Sequence, residues 1–169
     1  MSSEVAAGEQ VGVQVDVQMA VDAADQWSIP GVDAIQMWAS AALKQVGASP
    51  SETQMTVRIV DVDEITQLNE QYRQKEGATN VLSFPFELPP GVPEDAVDAS
   101  LGDLIICAAV VEQEAETQHK SAEAHWAHMI VHGTLHLLGY DHLTDDEAQQ
   151  MEAEEIVVLN QFGYANPYE

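Results

Sequence analysis

Val11, Val13, Val15 and Val17 alternate with smaller or polar neighbours, the period of two expected of a half-buried strand. The period then changes. After Ser28, Ile29 and Pro30, the apolar positions Ile35, Trp38, Ala42 and Val46 recur at helical spacing, and Gly47 supplies a stop. Residues 54–61, QMTVRIVD, return to a strand rich in β-branched side chains. Strand, helix and strand in that order predict a right-handed parallel crossover. Ile65, Leu68 and Tyr72 mark a second helix, ending near Arg73 and Lys75 before the turn residues Glu76 and Gly77. VLSFPF, residues 81–86, reads as a third strand. Its Pro85 cannot donate to a ladder on both sides, which points to a sheet edge.

The segment ELPPGVPEDAVDAS carries three of the seven prolines and reads as an exposed loop, followed by a fourth strand, DLIICAA, from Asp103. Helices fill the remainder. Ser121 is placed to cap an apolar helix running through Leu138, and Thr144 with Glu147 forms a capping box opening a last helix stopped by Gly163. Residues 1–10, small and polar without an apolar period, read as a disordered tail ahead of one domain, residues 11–169.

Composition agrees with a folded domain: 46% of residues are hydrophobic and 20% charged. The lone Cys107 has no internal disulfide partner, and no basic patch precedes an apolar run at the amino terminus. No stretch approaches the roughly 18 apolar residues of a membrane span. A soluble cytoplasmic protein is expected. The charge is less ordinary, with 29 acids against 5 bases for a formal net charge of -24. Such a surface repels nucleic acid at long range, so any polyanion must be met locally. The bases, Lys44, Arg58, Arg73, Lys75 and Lys120, all lie mid-chain, and the acids read as a solvated face suited to a salty medium.

Chemistry concentrates in HWAHMIVHGTLHLLGYDH, residues 125–142, which holds five of the six histidines in a mostly apolar run. His132 and His136, four apart, project from one helical face about one turn apart. Gly139 can take the left-handed conformation that ends a helix, letting the chain bring His142 back toward the same point. Three nitrogen ligands and one open position are the pattern of catalytic zinc, which acidifies a bound water to a pKa of about 7. His128 starts about 12 Å along the axis from His136, too far for both to grip one ion, and falls to a supporting or packing role. His125 and His119 carry less signal still.

The spacing H-x-x-x-H-x-x-G-x-x-H matches the ligands of metzincin peptidases, but Gly133 stands where those enzymes need a glutamate base. Peptide hydrolysis is therefore the lesser alternative. Arg73 has a physical case as a phosphate anchor, since a guanidinium fork binds phosphate oxygens in pairs. The competing reading is an ion pair with Glu70 or Glu76, and Lys75 is a weaker companion. Asp141 could orient an imidazole, accept a proton, or simply shape a turn. Cys107, flanked by apolar residues, reads as inert packing.

NEQYRQKEGATNVLSFPFE, LGDLIIC and HWAHMIVHGTLHLLGYDH together resemble the YbeY family of bacterial endoribonucleases, from about residue 13 onward. The resemblance implies an α+β fold, a mixed four-stranded sheet with about five helices and a metal site at the end of a central helix. It implies a metal-dependent, single-strand-specific ribonuclease that matures the 3′ end of small-subunit ribosomal RNA and serves ribosome quality control. One zinc ion per chain on His132, His136 and His142, with Arg73 as functional arginine, is the implied catalytic set. Implied partners are single-stranded and ribosomal RNA, the small ribosomal subunit and its assembly factors. A noncatalytic assembly factor is the further alternative.

Overall fold

The computed structural model describes residues 12–22, 26–50, 53–87, 90–91 and 100–168. The tail at 1–10, Val11 and most of the proline-rich loop lie outside the described residues. In chain order the elements are β1 (Gln14–Ala20), α1 (Val32–Gln45), β2 (Gln54–Val60), α2 (Val62–Arg73), β3 (Val81–Pro85), β4 (Ser100–Cys107), α3 (Ala108–Thr117), α4 (Ala122–Leu137) and α5 (Asp145–Gln161). Among the described residues, four strands and five helices make an α+β fold.

The sheet runs β1-β2-β4-β3. β1 and β2 pair in parallel, as do β2 and β4, and β3 joins β4 antiparallel as an edge strand. Pro85 ends that edge, where its missing N–H interrupts no central ladder. One correction concerns β4. The strand begins at Ser100 rather than Asp103, and Ala108 and Ala109 belong to α3, not to the strand. The junction is apolar on both sides with no turn residue between, so periodicity could not divide it.

Two apolar clusters sandwich the sheet. Ile65 and Leu68 of α2 pack with Val60, Leu82, Phe84, Ile105 and Cys107 on one face. On the other, Val57, Ile59, Leu104 and Ile106 meet α1, α4 and α5 through Ile35, Trp38, Trp126, Ile130, Leu135, Val158 and Leu159. α4 is the central helix: it packs on α1, α3, α5, β3 and β4. Ser121 caps it, its hydroxyl accepting from the Ala124 N–H at 3.1 Å. α5 opens on the reciprocal box, with Thr144 Oγ1 accepting from Glu147 N–H and Glu147 Oε1 from Thr144 N–H, both at 3.2 Å. Among the described residues, no helix is long and apolar enough to cross a membrane.

Candidate metal centre

The end of α4 builds the site. Tyr140 N–H reaches the Leu135 carbonyl and Gly139 N–H the His136 carbonyl, at 3.1 and 3.0 Å, with Gly139 at φ 104°. This is the Schellman pairing, and the left-handed residue folds the chain back over the last turn. Asp141 completes the turn by accepting from the His142 N–H at 2.8 Å. His142 then faces the helix, its ring centroid 5.0 Å from that of His136 and 5.8 Å from that of His132, while His132 and His136 are 4.6 Å apart. The three rings offer ligand nitrogens that all lie within 4.8 Å of one another. Donors so gathered are a group that could hold one metal ion.

Two features suit these rings to a cation beyond their proximity. Burial, aided by the neighbouring His132 and His142, pushes His136 down to about 4, so its imidazole is neutral and its lone pair free at physiological pH. His132 is oriented from behind: its Nδ1 lies 2.7 Å from Oε2 of Glu155, leaving Nε2 for a ligand. Glu155 comes from α5 and is fully buried. Its other oxygen takes His128 Nε2 at 2.9 Å and the Tyr168 hydroxyl at 2.5 Å. Burial alone would raise this carboxyl, but the hydrogen bonds from His128 and His132 outweigh it and hold it at about 2. The Tyr168 phenol is pushed up by burial and by the same carboxylate.

Glu155 and Tyr168 escape a reading by motif because they lie 23 and 36 residues beyond His132. One signal was available. Met151, Glu155, Val158 and Leu159 form one buried stripe of α5, and a carboxylate in that stripe demands buried partners. His128 stands behind the triad rather than in it, and the buried His125 bonds Glu114 at 2.9 Å. His119 occupies the left-handed position that ends α3, at φ 58°. Cys107 is fully buried, and burial raises its thiol, which fits packing rather than nucleophilic chemistry.

Gly133 faces the sheet. A Cβ there would lie 2.7 Å from Cδ2 and 2.9 Å from Cδ1 of the buried Leu104. A side chain as long as glutamate therefore has no room at the position where a peptidase carries its base.

Arg73 does not join the histidines directly. It stands at the end of α2, donates to the Ser83 carbonyl on the outer strand, and holds its guanidinium 5.4 Å from the Phe84 ring centroid. Among the described residues no carboxylate lies within ion-pair distance of it, so the pairing with Glu70 or Glu76 is not formed. Lys75 lines a shallow depression with Glu70 and Glu76. Among the described residues, Arg73 and the three histidines are connected only through the sheet. Ser83 pairs with Leu104, and Leu104 touches Gly133, the residue after His132.

An α+β layer structure with a half-open cluster of three imidazoles, backed by a buried carboxylate, defines a metallohydrolase-like class of protein. Comparison with known proteins narrows the class. The family described as Endoribonuclease YbeY matches residues 21–163. The chain is 47% identical over 157 residues to Endoribonuclease YbeY of Coxiella burnetii strain Dugway 5J108-111, covering 93% of this chain and 99% of that protein. It is 51% identical over 154 residues to Endoribonuclease YbeY of Alcanivorax borkumensis, covering 91% and 85%. The chain belongs to the YbeY endoribonuclease family, a family of hydrolytic nucleases. The solution structure of TM1509 from Thermotoga maritima shares the fold, with TM-score 0.52 at 22% identity over 89% of this chain and 92% of that one.

Proposed function

We propose that this chain, as one domain from residue 11 to 169, is a zinc-dependent, single-strand-specific endoribonuclease of the cytoplasm. Its substrate is ribosomal RNA, and its tasks are 3′-end maturation of the small-subunit RNA and ribosome quality control. It works alongside the small subunit and its assembly factors. The convergence of the His132, His136 and His142 nitrogens within 4.8 Å carries the reading. Three imidazole donors with an open fourth position favour zinc.

When bound, the ion would supply Lewis-acid chemistry at the phosphodiester. The residues of the chain do the rest. Glu155 fixes the His132 ring so that Nε2 points into the site. Arg73, anchored on Ser83 with donors to spare, binds phosphate oxygens and offsets the charge that develops during cleavage. The peptidase alternative is disfavoured by the Leu104 wall at Gly133.

Elemental analysis of purified protein should return one zinc per chain, and the His136→Ala variant should lose it. The metal-loaded protein should cut single-stranded RNA and leave an unstructured peptide intact, with His136→Ala inactive. Arg73→Ala should keep fold and metal while slowing single-turnover cleavage by roughly 10- to 1000-fold. Arg73→Lys should recover only part of the rate, because a point charge lacks the planar fork. Cleavage of the peptide alone, absent in His136→Ala, would reverse the assignment.

A further inference from the structure

In a chain of net charge -24, RNA needs a foothold that does not depend on a basic surface. Such a foothold surrounds Arg73. Phe84 is held in the apolar cluster on the α2 face of the sheet, and Phe86, two residues on, shares that face by the period of a strand. The pairing continues past Pro85, since Phe86 N–H donates to the Leu101 carbonyl at 2.8 Å. Tyr72, the penultimate residue of α2, meets Phe84 edge to face with centroids 5.7 Å apart. Phe84 thus props both Tyr72 and the Arg73 guanidinium.

Tyr72 is 58% exposed and Phe86 43%, although rings of this size are ordinarily buried. Both border the free edge of β3, and Arg73 crosses that edge to Ser83. Arg58 is committed to Glu64 at 2.6 Å, whereas Arg73 has no carboxylate partner among the described residues. An unpaired cation among exposed aromatic rings is the arrangement that grips single-stranded nucleic acid: rings stack bases and the cation takes a phosphate. The adjoining depression at the end of α2 carries Glu70 and Glu76, so the rings, rather than Lys75, must supply most of the attraction.

We propose that Tyr72 and Phe86, braced by Phe84 and flanked by Arg73, form a base-stacking subsite for unpaired nucleotides of the RNA beside the free edge of β3. The proposal rests on the ribonuclease reading and deepens it. The subsite accepts any base, because every base has a π face, and it rejects duplex RNA, whose bases are already stacked. It lies on the outer strand, one strand spacing of about 4.8 Å from β4. Leu104 of β4, paired with Ser83, packs on the opposite face against α4. The subsite and the histidines therefore lie on different faces of the sheet, and a bound strand would have to pass round the free edge of β3 to reach both.

The test is single-turnover cleavage of a fluorescein-labelled, ten-nucleotide oligouridylate by the zinc-loaded protein over a range of enzyme concentrations. A matched duplex is run beside it. Tyr72→Ala and Phe86→Ala should each raise the half-saturating enzyme concentration by about 5- to 150-fold, the range of one lost base stack. The maximal rate, zinc content and melting temperature should stay near wild type. Tyr72→Phe and Phe86→Tyr should bind as wild type, and the preference for single strands over duplex should shrink in the alanine variants. If wild type cuts RNA but both alanine variants saturate as it does, the rings are not a nucleotide subsite. A fall in maximal rate at unchanged saturation would also overturn stacking, since Tyr72 would then act only by holding Arg73. If wild type cuts no RNA, the ribonuclease reading itself fails. Retained cleavage constants with loss of a protein partner on the same substitutions would reassign the face to peptide docking.

Discussion

Glu152, Glu154 and Glu155 follow one another within α5, yet only Glu155 is fully buried and hydrogen-bonded to two histidines. Carboxylates behind metal-binding imidazoles set ring orientation and basicity, and their loss typically weakens metal binding by 10- to 100-fold. Glu155→Gln should therefore lower zinc affinity by about that factor in a competition with a chromophoric chelator, while Glu154→Gln should not. Affinity within twofold of wild type in Glu155→Gln would reduce the carboxylate to a packing role. Gly133 offers a second test. Gly133→Ala should destabilise by about 1–3 kcal/mol through overpacking against Leu104, measured by urea unfolding. With Leu104→Ala in the background the same change should be neutral or stabilising, because alanine is the better helix former. Equal costs in both backgrounds would show that the contact is relieved elsewhere.

At the scale of elements, Glu114 of α3 joins three segments. It takes His125 of α4 at 2.9 Å and Asn80, the residue before β3, at 3.1 Å. Burial would raise its carboxyl, but those hydrogen bonds prevail and lower it below the ordinary carboxylate value. A lowered folded-state value means stability present above the unfolded value of about 4.3 and lost as pH falls through the folded one. Glu114→Gln should thus cost most near pH 7, and the gap in melting temperature to wild type should close as pH falls toward 3. A gap that widens on acidification has the wrong sign for this account. What was legible at this scale was local. The caps at Ser121 and Thr144, the stops at Gly47, Gly139 and Gly163 and the edge proline announce themselves within a few residues. The start of α3 and the link between Glu155 and His132 did not, because one lacks punctuation and the other is decided by tertiary packing.

For the whole molecule, charge is the dominant variable. With 29 acids against 5 bases, self-repulsion opposes the compact state most when screening is weak. The melting temperature should rise between low and molar potassium chloride. A flat or falling trend would mean that the acids are spaced widely enough not to strain one another. Salt should act oppositely on RNA, since phosphate contacts weaken with ionic strength while stacking persists. In a salty medium a protein of this charge would gain from anchoring its substrate through rings.

The carboxylate that orients His132 also has a bearing on biosynthesis. Among the described residues, the four strands and His132, His136 and His142 precede α5 in the chain, and Glu155 and Tyr168 follow them. Until α5 follows them into the fold, the three imidazoles have no partner behind His132. A chain in that state would bind zinc weakly. Tight metal loading would then await the docking of α5.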